Sequence, residues 1–483
     1  MTRLIVGPFN RVEGDLEVKL EVAQGRVREA RVVSTLYRGF ERILLGKIPE
    51  DAMVYAPRIC GICSVSQSVA AAKALADAAG LRPPENGAVA TNMIHATENV
   101  ADHLTHFYLF FMPDFARDIY AGEPWHDAVV ERFKAVTGSA TQDMLPARAQ
   151  FMHILGLLAG KWPHTLAVQP GGTTRAVAAN ELARIAAILA GFRAFLQARL
   201  FGDSLERVAS LSNRDELEAW AGERRAGSSD FRLFLHVSRA LDLEALGRGY
   251  DRFMSYGAYA GPAGALFPSG IFVQGDVLPL DVAGITEDLT HAWYDSLEMV
   301  EPPIAGTTVA DLSRAGAYSW CKAPRLGRDV MEVGAIARQV IAGHPLIRDL
   351  VTRSGGNVHS RVVARLLEIA RVVIAMEQWV RAIDPGEVFN THGAMPAHAD
   401  GVGLTEAARG SLGHWLRVRE GKIENYQIVA PTTWNFSPRD GFGKPGALEH
   451  ALVGAPVRAG ETEPVCVQHI VRSFDPCLVC TVH

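Results

Sequence analysis

The chain has 483 residues, of which 48% are hydrophobic and 21% are charged, a balance that predicts a large globular core. Its formal net charge of −5 excludes the strongly basic footprint of a nucleic-acid-binding protein. No low-complexity run, block of like charge or internal repeat marks a linker, so we expect one large domain over residues 1–483.

The compartment is predicted from the N-terminus, the apolar stretches and the cysteines. Residues 1–8 lack the apolar core of a signal peptide, and the apolar stretch 182–200 is interrupted by arginines, so we expect no insertion into a membrane. Four of the six cysteines form two C-x-x-C pairs, which suits a reducing compartment better than a disulfide scaffold. We therefore expect a cytoplasmic protein in which Cys321 and Cys466 are buried as small hydrophobic residues.

The hydrophobic pattern predicts the elements in chain order. Alternation over residues 16–34, with a turn at Gly25, predicts a β-hairpin. Helical periodicity then predominates, and the predicted helices cover 64–79, 85–112, 142–159, 177–201 and 360–382. The last of these is apolar almost all round, which is typical of a buried helix. Short strand and turn signals return over 423–440.

These elements predict a mainly α fold of the α+β class. We expect a central bundle of long helices, with small β elements near the two chain ends. Within the single domain, residues 1–50 are expected to form a β region and residues 51–420 a helical core. Residues 421–483 are expected to form a C-terminal region that closes the functional site.

Two cysteine pairs carry the strongest chemical signal. The first pair is Cys60 and Cys63, and the second is Cys477 and Cys480 at the end of the chain. Four thiolates select soft or borderline metals such as zinc, nickel or iron. A zinc ribbon places its pairs roughly 15–20 residues apart, whereas 413 residues separate Cys63 from Cys477 here. The pairs alone also fit separate zinc or redox motifs, or a thiol-bearing tail.

The flanks of the pairs favour one family. The first pair stands in the pattern R-x-C-G-x-C, and the second stands in D-P-C-x-x-C-x-x-H. The chain also contains, in this order, the blocks Arg11-Val12-Glu13-Gly14, Tyr37-Arg38-Gly39-Phe40-Glu41, Lys322-Ala323-Pro324-Arg325, Glu406-Ala407-Ala408-Arg409-Gly410, Gly413-His414-Trp415, Pro431-Thr432-Thr433-Trp434-Asn435 and Ser437-Pro438-Arg439-Asp440. Together these blocks resemble the large subunit of nickel–iron hydrogenases. The resemblance implies the hydrogenase large-subunit fold and the heterolytic cleavage of H2 into protons and electrons.

The resemblance also implies a metal centre. Cys60, Cys63, Cys477 and Cys480 would all ligate nickel, and Cys63 and Cys480 would bridge to an iron that carries carbon monoxide and cyanide. Cys60 and Cys477 would be terminal ligands, and a terminal thiolate such as Cys477 is the expected proton acceptor. From the residues alone, only a thiophilic metal is predicted.

Further site residues follow from the same resemblance. Glu13, by itself an ordinary surface charge, matches the proton carrier between cysteine sulfur and solvent, and burial would raise its pKa towards the working range. Arg439, with Pro438 beside it, resembles an arginine that overhangs the metals. Asp102 and Asp475 resemble the carboxylates that orient this arginine, although Asp102 alone would be interpreted as a solvated charge.

Glu41 and His483 are a second candidate ligand pair. A carboxylate and an imidazole are ordinary ligands of a divalent cation, and the resemblance implies a magnesium-type ion (Mg²⁺) near the C-terminus. Without the resemblance, His483 would be interpreted as a frayed terminal residue.

Four residues depart from the usual family pattern, and the first is Asp15, which follows Gly14 where the block usually reads R-x-E-G-H. Gln67 stands where a histidine is usual, and it can hydrogen-bond but cannot titrate. Ile62 and Phe110 match gas-route positions where smaller residues are commoner, so they would narrow access for oxygen. As isolated residues, both fit core packing equally well. With Gln67, they resemble the regulatory, hydrogen-sensing branch of the family.

Three functions remain open at this point. We expect a hydrogen sensor that signals to a partner such as a sensor histidine kinase. The alternative is a respiratory uptake hydrogenase, and the remote alternative is a non-catalytic quinone-module subunit of the complex I type, which the four cysteines disfavour. The chain has no spare set of thiolates for an iron–sulfur cluster, so we expect a heterodimer with a small subunit that carries such clusters.

Overall fold

The structure is a computed structural model that describes residues 2–261, 264–296 and 298–481. Within these ranges, helices α1 to α17 span, in order, Phe40–Leu44, Ala52–Tyr55, Ser64–Ala79, Glu85–Thr105, His126–Phe133, Ala140–Ala159, Ala179–Phe195, Leu205–Ser210, Arg214–Gly222, Asp230–Ala240, Ala335–Ile341, Pro345–Ser354, Val358–Ala382, Pro431–Asn435, Ala447–Leu452, Val465–Ser473 and Leu478–Thr481. Strands β1 to β18 span Thr2–Val6, Leu16–Ala23, Arg26–Ser34, Val168–Gln169, Gly172–Thr173, Arg252–Ser255, Ala258–Gly261, Gly264–Phe267, Gly270–Val273, Asp276–Leu278, Ile285–Asp288, Tyr294–Asp295, Val300–Glu301, Val309–Ala310, Ala323–Leu326, Ala399–Ala407, Gly410–Arg419 and Lys422–Val429.

Long helices form the centre of the molecule. Helix α13 packs against α4, α7 and α11, and α6 packs against α4 and α7. Asn357 directly precedes α13, and its side-chain oxygen accepts a hydrogen bond from the Ser360 N–H at 2.9 Å, which caps the first turn. Its apolar residues are buried on most sides, as the sequence predicts for a central helix. This bundle confirms the predicted mainly α fold class.

The predicted hairpin is β2 and β3, and β1 adds a third antiparallel strand at its edge. The pairing register of β2 and β3 shifts between Glu21 and Val22, so the ladder has an irregularity close to the turn. The five predicted helices correspond to α3, α4, α6, α7 and α13. Helices α4 and α7 each continue as π-helical segments, His106–Phe111 and Leu196–Phe201.

The sequence did not predict the strands between the two chain ends. Strands β6 to β15 form small antiparallel sheets between residues 252 and 326, inside the predicted helical core. Strand β17 is buried along nearly its whole length. A strand buried on both faces loses the polar–apolar alternation that identifies strands in a sequence. The predicted division of the domain into a β region, a helical core and a C-terminal region, with boundaries at residues 50 and 420, stays a prediction.

A three-stranded sheet, β16–β17–β18, supports helix α3. Gly401 and Gly403 allow the helix to approach closely, because a Cβ atom on Gly403 would lie 1.9 Å from the carbonyl oxygen of Ala70. The N-terminus of α3 directly follows Cys63, so this packing sets the position of the first cysteine pair. Among the described residues, no helix has the length and apolar character needed to cross a bilayer.

Candidate metal centre

The two cysteine pairs come together in the folded chain. Cys60 Sγ lies 3.6 Å from Cys477 Sγ, and Cys480 Sγ lies 3.0 Å from the sulfurs of both Cys63 and Cys477. All four sulfurs lie within 4.8 Å of one another and are buried. The sequence prediction that distant pairs assemble one four-sulfur site therefore agrees with the geometry.

Local structure fixes each pair. Cys60 ends a short 3-10 turn in an extended conformation, and Cys63 directly precedes helix α3. The backbone N–H of Cys63 points at the sulfur of Cys60, with an N to Sγ distance of 3.4 Å. In the second pair, the backbone N–H of Cys477 donates to the Thr432 hydroxyl at 3.0 Å.

The thiols cannot all ionise without a cation. Hydrogen bonds with Cys477 and Cys480 raise the pKa of Cys63, and burial raises the pKa of Cys477 and Cys480. Burial also opposes ionisation of Cys60, but hydrogen bonds from the other three cysteines lower its pKa. Four buried sulfur donors at this spacing fit a thiophilic metal, which would supply the missing positive charge.

Glu13 lies beside the centre. Its backbone pairs with Cys477 in a parallel bridge, and its carbonyl oxygen accepts a hydrogen bond from the Leu478 N–H at 2.7 Å. Burial raises the pKa of the half-buried Glu13 carboxyl, and the negative charge of Cys60 raises it further, whereas Arg409 and Arg38 lower it. Glu13 therefore lies beside the second cysteine pair, and its role as a proton carrier stays a prediction.

The predicted contact of Arg439 with Asp102 and Asp475 is wrong. The Arg439 guanidinium pairs with Glu29 at 3.0 Å and donates to the carbonyl oxygen of Ala30 at 3.3 Å, both on β3. The carbonyl oxygen of Pro438 accepts from Arg325 at 3.3 Å. The loop that follows α14 thus turns both residues towards other partners.

Arg409 occupies the place assigned to Arg439. Its guanidinium donates to Asp102 at 2.5 Å and to Asp475 at 3.1 Å, and its positive charge interacts with Cys477 and Cys63. Arg409 lies in the turn between β16 and β17, which points it inwards. The block Glu406–Gly410 carries part of the family resemblance, but no role for its arginine was predicted from the sequence. A lone arginine between small residues in a tight turn was the signal that could have found it.

Gln67 lies on the first turns of α3. Its side-chain nitrogen is 4.0 Å from Cys480 Sγ, and its side-chain oxygen is 2.8 Å from His414 Nε2. A hydrogen bond near this sulfur is what the sequence analysis predicts for a glutamine here. No sequence pattern indicates that His414 lies on the other side of the amide.

Ile62 and Phe110 are both half-buried. Ile62 packs on the main hydrophobic core between the two cysteines of the first pair. Phe110 lies on the π-helical segment that continues α4, and its carbonyl oxygen accepts a hydrogen bond from Arg11 at 3.4 Å. Core packing is therefore recorded for Ile62, and the part of both residues in a gas route stays a prediction.

Glu41 is buried, but its partners are other protein groups. Lys322 Nζ lies 3.3 Å from one carboxylate oxygen, the Ile428 N–H donates to the other at 2.8 Å, and the Thr308 hydroxyl also donates to Glu41. His483 lies outside the described residues, so the pair predicted to hold a magnesium-type ion is not seen together.

The remaining two cysteines lie apart from the centre. Cys321 is buried, with its sulfur 3.1 Å from the carbonyl oxygen of Lys322, as predicted. Cys466 is only partly buried. Among the described residues, the four-cysteine group is the one cluster with the spacing of a metal site.

Comparison with known proteins identifies the family. A family model described as nickel-dependent hydrogenase matches residues 38–123 and 230–483. The large subunit of a periplasmic [NiFeSe] hydrogenase from Desulfomicrobium baculatum is 29% identical over 516 aligned positions, which cover 100% of this chain and 95% of the relative. The hydrogenase-1 large chain of Escherichia coli strain K12 is 28% identical and is covered to 95%. A solved Ni-Fe-Se hydrogenase structure from D. vulgaris Hildenborough superposes with a TM-score of 0.84 at 30% identity, with full coverage of both chains.

These relatives correct the predicted compartment. The name of the D. baculatum relative places that enzyme in the periplasm, which contradicts the cytoplasmic location expected from composition. Cysteine content and hydropathy describe a folded, thiol-bearing chain, and such a chain can occur in either compartment. The buried four-cysteine centre and the matches over the whole length agree on one conclusion: the chain belongs to the nickel-dependent hydrogenase family and is the large subunit of a hydrogenase.

Proposed function

We propose that this large subunit oxidises H2 in the uptake direction at a nickel–iron centre held by Cys60, Cys63, Cys477 and Cys480. The observation that carries the proposal is the buried cluster of four sulfurs. Relatives named as uptake hydrogenase large subunits, from Azotobacter chroococcum and Rhodobacter capsulatus, support the uptake direction. The metals would polarise H2 and accept its electron pair, while residues of the chain accept and carry the proton.

The four sulfurs divide into two kinds in this proposal. Cys63 and Cys480, whose sulfurs are 3.0 Å apart, would bridge nickel to the iron that carries carbon monoxide and cyanide. Cys60 and Cys477 would be terminal, which leaves their sulfur lone pairs free to accept a proton. Glu13 would then carry the proton away, because its carboxyl lies close enough to Cys60 for the two charges to interact.

Arg409 would overhang the metals in place of Arg439. Asp102 and Asp475 hold its guanidinium on two sides, so its donors and its charge are fixed before substrate arrives. This arrangement supports a role in orienting and stabilising charge at the centre. Ligation by Arg409 is excluded because a guanidinium offers no lone pair.

A magnesium-type ion at Glu41 and His483 is a second metal proposal. The buried position of Glu41 supports it, and an ion there would share the carboxylate with the Lys322 ammonium. Metal analysis of purified protein should find about one magnesium per chain, and the variant Glu41→Gln should lose it while keeping nickel. Full magnesium content in that variant would contradict the site.

The electrons must leave through a partner. Four of the six cysteines form the centre, and Cys321 and Cys466 lie elsewhere, so the chain offers no thiolate set for a second cluster. The segment that leads into the first cysteine pair exposes four apolar side chains, Ile43, Leu45, Ile48 and Val54. An apolar surface at this place supports docking of an iron–sulfur small subunit near the centre.

A hydrogen sensor is the second candidate function, with a sensor histidine kinase as its partner. It is favoured by Gln67, which places a non-titrating amide rather than an imidazole beside Cys480. Turnover with an electron acceptor, measured on the purified holo-complex, separates the two functions. Uptake requires sustained reduction of the acceptor by H2, whereas a sensor should turn over slowly and change the activity of its partner kinase.

The metal centre itself is tested by exchanging one sulfur. Cys477→Ser should lose nickel and H2 oxidation while the chain stays folded, because a hydroxyl is a poor ligand for a thiophilic metal. Cys466→Ser is the matched control, since Cys466 is half-buried and lies outside the cluster, and it should retain nickel. Stoichiometric zinc without nickel in the matured parent protein would overturn the proposed function.

A further inference from the structure

Four buried groups form a continuous polar chain that ends at the metal centre. The Tyr426 hydroxyl oxygen lies 2.7 Å from His414 Nδ1, and His414 Nε2 lies 2.8 Å from the side-chain oxygen of Gln67. The side-chain nitrogen of Gln67 lies 4.0 Å from Cys480 Sγ. Tyr426, His414 and Gln67 are all at most 1% exposed, so water does not compete for these contacts.

The fold brings the four groups together from four elements, with Cys480 on the short helix α17. His414 is on β17 and Tyr426 is on the neighbouring strand β18, one step away diagonally, because His414 pairs with Ile428. Gln67 is on α3, which rests on this sheet. Gly403 pairs with His414 on β16, and its missing side chain lets α3 lie close enough for the imidazole to reach the amide.

The acceptor at the end of the chain sets the direction of every bond. A metal-bound cysteine sulfur has no proton and can only accept, so the amide must turn its N–H towards Cys480. The amide oxygen then faces His414, which must donate from Nε2. With its proton on Nε2, a neutral imidazole accepts at Nδ1, and there the Tyr426 hydroxyl donates.

We propose that Tyr426 and His414 are positioning residues that hold Gln67 with its N–H directed at the Cys480 thiolate. This inference rests on the proposed metal centre, because Cys480 must be a metal ligand for its sulfur to be an obligatory acceptor. The hydroxyl fixes the tautomer of His414, and the tautomer fixes the orientation of the amide. The hydrogen bond withdraws electron density from the sulfur, which makes Cys480 a weaker electron donor to the metals.

The proposal can be tested without turnover, on the full chain loaded with cobalt(II). Cobalt(II) bound by thiolates absorbs through sulfur-to-metal charge transfer, and a hydrogen bond to the sulfur moves this band to higher energy. Gln67→Leu removes the donor, and Tyr426→Phe removes only the hydroxyl that fixes the tautomer. Tyr259→Phe is the matched control, because Tyr259 is also buried and its hydroxyl bonds to Asn99 at 2.8 Å.

We expect the band to move to lower energy in Gln67→Leu and in Tyr426→Phe, and to stay at the parent energy in Tyr259→Phe. The double variant Gln67→Leu/Tyr426→Phe should show no larger shift than Gln67→Leu, because both changes break the same chain. If the three residues only fill the core, both tyrosine variants lower the melting temperature and neither moves the band.

Each contrary result has a distinct meaning. A shift in Gln67→Leu but none in Tyr426→Phe would overturn the positioning role, and no shift in either would overturn the hydrogen bond to Cys480. If Tyr426→Phe does not fold, His414→Leu provides the same comparison with Gln67→Leu. Absence of the band from the parent chain would contradict the metal centre itself, and the proposed function would fail together with this inference.

Discussion

The carbonyl oxygen of Glu13 accepts a hydrogen bond from the Leu478 N–H at 2.7 Å. This bond ties the first residues of the chain to the second cysteine pair, which lies close to its other end. The backbone of Glu13 is therefore fixed relative to Cys477, and its carboxyl reaches the centre without itself being a ligand of the cluster. A proton carrier needs this combination of a fixed position and a free carboxyl group.

We predict that Glu13→Gln keeps nickel and loses proton transfer. Glutamine has the same shape but cannot carry a proton, so hydrogen–deuterium exchange on the purified holo-complex should fall by about 10²- to 10⁴-fold. Glu17→Gln is the matched control, because Glu17 is also half-buried and lies on β2. Exchange at the parent rate in Glu13→Gln would show that the proton leaves by another route.

We predict that Arg409, rather than Arg439, is needed for turnover. Arg409→Lys keeps the positive charge but loses the forked guanidinium that reaches both Asp102 and Asp475. The loss of one charge-assisted hydrogen bond should lower the rate of H2 oxidation by about 10- to 100-fold. H2 oxidation and nickel content should be measured together, with nickel retained. Arg439→Lys, in the loop after α14 with its side chain against β3, should stay within about twofold of the parent. Equal losses in the two variants would contradict the geometry.

The arginines show where prediction from the sequence reaches its limit. Arg409 and Arg439 both stand in blocks that resemble the family, and both blocks end in or near a turn. Only the pairing of β16 with β17 directs one inwards, while the loop after α14 directs the other to Glu29. A one-dimensional pattern identifies the residue types of a site, but it does not specify which of two equivalent side chains faces the centre.

Other features could be predicted because their signals are local. Helix α3 extends from residue 64 to residue 79 as its pattern predicts, and Gly80 ends it in a left-handed conformation that glycine adopts without strain. The chain of Gln67, His414 and Tyr426 has no such signal, because it depends on how closely a helix lies on a sheet. The contact between Glu41 and Lys322 likewise joins residues that only the tertiary fold brings together.

We predict that His359 makes the protein less stable in acid. Burial lowers the pKa of His359 from an ordinary value of 6.5 to about 3, with a smaller contribution from Arg214. The neutral ring stacks on Phe234 and bonds to the Ser238 hydroxyl at 2.8 Å. Because the folded state resists protonation of His359, the contribution of the neutral ring to the free energy of unfolding is complete above pH 6.5. This contribution is lost as the pH falls from 6.5 towards 3, by at most ~1.4 kcal/mol per pH unit.

Urea unfolding of the full chain between pH 7 and pH 4 checks this prediction. His359→Gln removes the titrating ring, so its free energy of unfolding should fall less steeply with acid than that of the parent. His236→Gln is the matched control, since His236 is exposed on the same helix, α10, and it should keep the parent slope. If the free energy of unfolding depends on pH equally steeply in the parent and in His359→Gln, His359 takes up its proton as readily in the folded state as in the unfolded state.

We predict that Ile62→Val combined with Phe110→Leu speeds inactivation by oxygen. The two changes remove about one methylene and one ring next to the first cysteine pair and on the segment after α4. If these side chains narrow a gas route, oxygen should reach the metals faster. The half-life of H2 oxidation under air is the measurement, with anaerobic turnover recorded for each variant.

The packing interpretation predicts a different result, and a control separates the two. Ile154→Val with Phe151→Leu makes the same change of size on helix α6, where both side chains are buried away from the centre. Loss of core packing alone should lower the stability of both double variants by about 1–3 kcal/mol, and it should leave their half-lives under air equal. A half-life of H2 oxidation under air that is shortened only in the Ile62 and Phe110 variant identifies a gas route. The two double variants remove the same side-chain volume, and they differ only in the place from which it is removed.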